Sequence, residues 1–193
     1  MKIIAEYSFK NGKAIIENEF ADLLLEIKDV ISEVDASKCK TKISKEKTMK
    51  GKVLYAPKKL NLAFKLAFER RKWTPMKLSF TTRVPEIGKP HRGYREMDAV
   101  KGSLGAEVQF GKYAFMAYDI LAKMVIFSKL GHIRAGVEIV PMGSLMREMS
   151  TGVSSFEQIK TDLEQRGHGE IDIPVLVYGI DATRVSLESF AAV

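Results

Sequence analysis

The stretch Asp98-Ala-Val-Lys-Gly-Ser-Leu-Gly-Ala-Glu107-Val108-Gln109-Phe-Gly-Lys112 leaves its backbone few choices. One acid precedes the short turn Lys101-Gly-Ser-Leu-Gly105, and a run of β-character that follows carries a second acid. Side chains alternate across a pleated strand, so Glu107 and Gln109 share one face while Val108 points into the core. The turn returns Asp98 beside them, and two carboxylates then converge at one end of a hairpin. Such a hard, oxygen-lined site suits Mg²⁺, which takes one or two protein carboxylates and keeps several waters. The same spacing is also what a solvated hairpin with surface charges shows, so it leaves both readings open.

A chain of 193 residues is long enough for one well-buried core and short for two. The expectation is a single domain over residues 1–193, with an apolar fraction of 46% and a charged fraction of 28% that suit a globular protein. A formal net charge of +7 favours a polyanionic partner, either nucleic acid or an acidic membrane surface. Glu6 and Lys10 interrupt the first apolar run, which is not a secretory signal. The most apolar helix, from Tyr113 to Leu130, carries Asp119 and Lys123 and falls short of a membrane span. A lone cysteine, Cys39, makes no internal disulfide and reads as a plain thiol rather than a nucleophile. Together these point to the cytoplasm.

Hydrophobic periodicity predicts a strand over 2–9, an Asn11-Gly12 turn and an amphipathic helix over 14–34. Seven lysines crowd residues 38–52 against one acid, Glu46, which describes a solvated loop or one that approaches a phosphate backbone. A second helix is expected over 57–72 with Pro57 near its start, and Trp73 after it as a packing residue. A strand over 76–82 and a loop over 84–93 lead into the hairpin. A third long helix runs from Tyr113 to Leu130, closed by Gly131. Strands at 133–142 and 173–180 flank a helix that starts from the capping box Ser155-Phe-Glu-Gln158 and stops near Gly167. Helices between the later strands predict one α/β domain, a central mixed β-sheet flanked by helices. His91, His132 and His168 lack the spacing of a zinc site.

Asp98 followed after eight residues by Glu107-Val-Gln109-Phe110-Gly-Lys112-Tyr113-Ala-Phe115 resembles the active-site segment of type II restriction endonucleases of the BglII/BstYI group. That group is a branch of the nuclease superfamily described by Pro-Asp…(Asp/Glu)-X-Lys. The likeness is closest on the BstYI side. It extends through Lys38–Thr48, Leu54-Tyr-Ala-Pro57, Ala117-Tyr-Asp119, Gly136-Val-Glu-Ile-Val-Pro-Met142 and Glu148-Met-Ser150-Thr151-Gly-Val-Ser154. Gln109 stands where the superfamily often has Lys, as is usual in this branch, and no Pro precedes Asp98.

The resemblance implies a restriction-endonuclease-like fold and a homodimer on double-stranded DNA. It also implies Mg²⁺-dependent phosphodiester hydrolysis in a palindromic site with a GATC core, leaving 5′ overhangs. Asp98, Glu107 and Gln109 would be the catalytic set. The metal would rest on Asp98, Glu107 and the Val108 carbonyl, with Gln109 orienting the attacking water. Lys112, Ser150, Thr151 and Ser154 would touch DNA. A structure-specific repair or recombination nuclease and a non-catalytic basic DNA-binding protein remain as alternatives.

Overall fold

In a computed structural model, described here for residues 1–183, the chain opens with β1 (Lys2–Phe9), α1 (Gly12–Glu19) and α2 (Ala21–Glu33). Short strands β2 (Lys40–Ile43) and β3 (Val53–Tyr55) precede α3 (Pro57–Arg70). Then come β4 (Thr74–Thr82), β5 (His91–Lys101) and β6 (Leu104–Val108). Helices α4 (Tyr113–Tyr118) and α5 (Met124–Lys129) are joined by one turn of π-helix, Asp119–Lys123. Strand β7 (Ala135–Pro141), helices α6 (Gly143–Met146) and α7 (Phe156–Arg166), and β8 (Val175–Asp181) complete the order. The domain boundary expected at residue 193 lies outside the described residues.

Six strands form one sheet in the order β1-β8-β7-β6-β5-β4. The three central strands are parallel and the outer pairings antiparallel, which gives the mixed sheet expected. Alternation along β6 and β7 divides the core. Leu104, Ala106, Val108, Ala135, Val137 and Ile139 face α1, α2 and α3. On the other face, Met116, Ile120, Met124 and Phe127 of the α4–α5 segment join Ile159 and Leu163 of α7. Gly105 and Gly136 are paired in register on this second face, and a Cβ on either would meet a methionine sulfur at 2.4 or 2.5 Å. The bare Gly136 lets Met124 of α5 settle onto the sheet, and the bare Gly105 makes room for Met97 of β5 and Ile133.

Two local expectations are revised. The helix expected over 14–34 breaks at Phe20, whose φ of −135° leaves the helical region while its ring is buried. Neither Gly nor Pro marks that break, so burial of the aromatic ring overrides a continuous periodic pattern. The lysine-rich segment 38–52 is not wholly an irregular loop: it carries β2, which pairs with β3 just beyond it, and the connection between them. Trp73 is buried and its indole Nε1 donates to Glu26 Oε2 at 2.7 Å, as fits a packing role. Cys39 is buried too. Among the described residues no helix is long and apolar enough to cross a membrane.

Gly12 starts α1 against the backbone of β8: a Cβ there would lie 2.2 Å from the Val175 carbonyl oxygen. Backbone cannot swing aside as a side chain can. Gly12→Ala is therefore expected to cost roughly 1–3 kcal/mol, the usual range for overpacking, read as a lower urea midpoint at unchanged slope.

Candidate active site

The hairpin that carries the two acids turns on Gly102 and Ser103, with φ of 54° and 66°. Two positive φ values in a two-residue loop match the right-handed twist of the flanking strands. Pairing runs through Lys101 with Leu104, Val100 with Gly105 and Ala99 with Ala106, and then stops. One step further the strands part, and the Asp98 carboxylate takes over: its Oδ2 accepts from Val108 N at 3.0 Å. Asp98 is thereby held beside the C-terminal end of β6, where Glu107 sits.

Val108 packs into the first core face as expected, and Glu107 points to the opposite one. Gln109 lies just past the strand, its N–H still donating to Ile139 O at 2.9 Å. Its amide is engaged at both ends: Nε2 donates to Asp119 Oδ2 at 3.0 Å and Oε1 accepts from Gly111 N at 2.7 Å. One Nε2 hydrogen remains for an incoming group.

These residues line a cleft of about 320 Å³ together with Asn61, Tyr94, Arg95, Glu96, Tyr118 and Lys123. Arg95 stands at its side, the guanidinium carbon 4.7 Å from the Phe80 ring centre and 5.7 Å from that of Tyr118. Arg95 Nε and Tyr118 Oη are buried donors without a partner among the described residues, ready for an acceptor entering the cleft.

Asp119 and Lys123, which line the cleft, and Glu138, buried beside Glu107, were not picked out as site residues in sequence. Lys123 Nζ lies 2.8 Å from Glu107 Oε1 and 2.7 Å from Asp119 Oδ1. The first contact has the distance of an ion pair without the alignment of a hydrogen bond, so this buried Glu107 oxygen keeps an unused lone pair. Glu138, in register with Glu107 on β7, is fully buried, and neither carboxylate oxygen has a hydrogen-bond partner among the described residues. Burial, reinforced by the Asp98 charge, pushes the Glu107 carboxyl well above the usual carboxylate range. Burial, then Asp119 and Glu107, does the same to Glu138. Burial also raises Asp119, against the pull of Lys123. For Lys123 burial opposes the charge, yet Glu107 and Asp119 outweigh it and hold the ammonium protonated above its ordinary value.

Among the described residues no group of three or more His, Cys, Asp or Glu is placed to hold a metal. Two carboxylates, one with an open buried oxygen, nonetheless offer the sparse hard-donor set that Mg²⁺ takes with water and phosphate.

The four residues expected at DNA fall together at a second locus. Lys112 bridges to Val153 in an isolated antiparallel pair, with Tyr113 N to Gly152 O and Ser154 N to Gly111 O both at 3.4 Å. Lys112 and Thr151 are exposed. Ser150 Oγ accepts from Lys42 Nζ, and Thr151 N donates to Glu46 Oε2 at 3.1 Å, which ties the lysine-rich hairpin to this loop. Ser154 is different: it is fully buried and its hydroxyl has no partner among the described residues.

The family model for restriction endonuclease BglII/BglIII matches residues 4–180. No curated protein matches the sequence directly. Among solved structures, the crystal structure of restriction endonuclease BglII complexed with a DNA 16-mer is similar at a TM-score of 0.73 and 16% identity, over 96% of this chain and 78% of that one. The crystal structure of free BglII is similar at 0.63 and 16% identity, over 95% and 81%.

Proposed function

The chain belongs to the BglII/BglIII restriction endonuclease family and is a type II site-specific DNA endonuclease, and from that premise we propose how it cuts. The reaction is Mg²⁺-dependent hydrolysis within a palindromic site with a GATC core, flanked by a purine and a pyrimidine, leaving 5′ overhangs. The whole chain acts as one domain, in the cytoplasm, and pairs as a two-fold homodimer so that each copy cuts one strand. The observation that carries the reading is the parting of β5 from β6, which sets Asp98 against Val108 N–H and beside buried Glu107.

Asp98 and Glu107 would hold the metal, with the Val108 carbonyl as a backbone ligand. When bound, the ion supplies a water of lowered pKa and shields charge developing on the phosphoryl oxygens. The chain does the rest. Gln109, fixed by Asp119 and Gly111, has one N–H to orient the attacking water or a phosphoryl oxygen. Arg95, which lines the cleft with a buried Nε that has no partner among the described residues, offers a fixed cation to the scissile phosphate.

Readout falls to Lys112 and to the Ser150–Ser154 loop beside it. A lysine can donate to guanine O6 and N7, and Ser or Thr to either base type. Lys112 and Thr151 would read the outer base pairs and Ser150 the core. Ser154 reaches DNA only if binding exposes its hydroxyl. The solved complex of BglII with DNA supports double-stranded DNA as the ligand.

Lys45, Lys47, Lys50 and Lys52 lie on the segment tied to this loop, and alanine at all four is expected to weaken DNA binding. The salt dependence should flatten as well, by up to about 0.9 in slope for each phosphate that is no longer neutralised. Titrations at several salt concentrations check this. The overall reading is tested by digesting a sequenced phage DNA in Mg²⁺ and mapping the ends. Discrete fragments with four-base 5′ overhangs at GATC support it, whereas nicks set by DNA structure rather than sequence contradict it.

A further inference from the structure

The active-site helix is regular except at one turn, and that turn carries a lysine into the cleft. The π-turn Asp119–Lys123 adds a residue to the helical repeat and brings both Asp119 and Lys123 to the cleft floor. Single π-turns inside helices are uncommon and often mark functional sites. The helix pays for this one with a distorted hydrogen-bond ladder at its centre, so the two side chains it presents need a reason. Both are buried: Asp119 is 3% exposed and the Lys123 side chain 12%.

Electrostatics supply the reason. Glu107, Asp119 and Glu138 crowd the second face of the sheet beneath this helix, with Asp98 at the edge of the cleft. Such a set repels itself, and an incoming phosphate adds further negative charge. Gln109, whose amide donates to Asp119, is neutral. Lys123 is the cation in contact with Glu107 and Asp119, and through Asp119 it reaches the Gln109 amide. The chain Glu107–Lys123–Asp119–Gln109 fixes both the carboxylate and the amide that face the substrate.

We propose that Lys123, presented by the π-turn, is a positioning residue for DNA cleavage: it supplies the fixed positive charge that Gln109 lacks, aims the Glu107 carboxylate, and through Asp119 aims the Gln109 amide. This rests on the endonuclease reading above. It predicts that charge at this point matters more than the lysine as such.

The test compares single-turnover cleavage by wild type, Lys123→Met, Lys123→Arg, and the double variant Lys123→Met with Gln109→Lys, each with its melting temperature and its DNA affinity in Ca²⁺. The methionine variant is expected to cleave roughly 100-fold more slowly, the scale of removing one electrostatic interaction from a dry site, with DNA affinity little changed. Arginine, and the lysine moved to position 109, are each expected to recover at least a tenfold part of that loss. Lys123→Met cutting at the wild-type rate overturns the inference and leaves the endonuclease reading intact. So does equal loss in all three variants, because charge would then not be what matters. If the methionine variant does not fold, the arginine variant decides: activity within tenfold of wild type supports the proposal, and loss in a folded arginine variant overturns it. A wild type that does not cut overturns the endonuclease reading, and this inference with it.

Discussion

Alanine at Asp98 or at Glu107 is expected to slow DNA cleavage by roughly a thousandfold or more, the upper end of what one electrostatic interaction with developing charge contributes. DNA affinity should hold or rise, since each change removes an acid that faces a phosphate. The two residues are expected to differ in a second respect. Asp98 is exposed and its Oδ2 accepts from Val108 N where the hairpin ladder ends. Alanine there strands that N–H, whereas Asp98→Asn retains an acceptor for it. Asn should therefore match Ala in its cleavage defect while remaining closer to wild type in stability, which separates the metal-holding role from the structural one. Single-turnover rates, binding in Ca²⁺ and melting curves on the same preparations check all three points. Cleavage within tenfold of wild type in Asp98→Asn would remove Asp98 from the site.

Glu138→Gln is expected to stabilise the protein, and to do so in a pH-dependent way. Glu138 is fully buried with no hydrogen bond to either oxygen among the described residues, and burial holds its carboxyl well above the usual range. Its folded-state value lies above its unfolded one, so between the two the folded chain retains a proton that the unfolded chain has released. Stability from this group is then complete below the unfolded value near 4.5 and falls as pH rises, by up to about 1.4 kcal/mol per pH unit. Glutamine has the same shape and no proton to lose. The gain should grow as pH rises above the unfolded value and vanish near pH 4. Urea unfolding across that range measures it, and parallel curves for the two proteins would contradict the account. A buried acid that costs stability without a partner is an expected feature of a strained, charge-crowded site.

The contrast between what sequence showed and what it hid follows from range of interaction. The Ser155–Gln158 capping box and the helix stop at Gly167 depend on residues within a few positions and form as read, while the turn read over Lys101–Gly105 tightens to Gly102-Ser103 between paired strands. Gln158 Oε1, for instance, accepts from Ser155 N at 3.0 Å. Phe20 does not: its break comes from burial of its ring in the core, and the periodic pattern around it gives no sign. The site divides in the same way. The return of Asp98 to the end of β6 beside Glu107 was legible because a short segment and a tight turn fix their separation.

The places of Lys123 and Glu138 were not, because Lys123 reaches the cleft from a helix packed across the sheet and Glu138 is buried on the strand beside Glu107. A signal did exist. Asp119 and Lys123 are an i,i+4 pair in the most apolar helix, and Glu138 is the lone acid in an apolar strand. Charges placed where burial makes them expensive point to a site even before a fold is known. The proposal that the Ser150–Ser154 loop reads DNA rests on resemblance alone. The loop's adjacency to Lys112 arises from a single bridge to Val153 that no local pattern encodes.

The most direct test of the central claim is cleavage of one end-labelled duplex bearing a single purine-GATC-pyrimidine site, followed in EDTA and then after addition of Mg²⁺, with Asp98→Asn alongside. The account predicts no product in EDTA and, on adding Mg²⁺, one cut per strand at symmetry-related phosphates that leaves a four-base 5′ overhang, absent in the variant. Cleavage that proceeds in EDTA, or that persists at the same bonds without the Asp98 carboxylate, would contradict it.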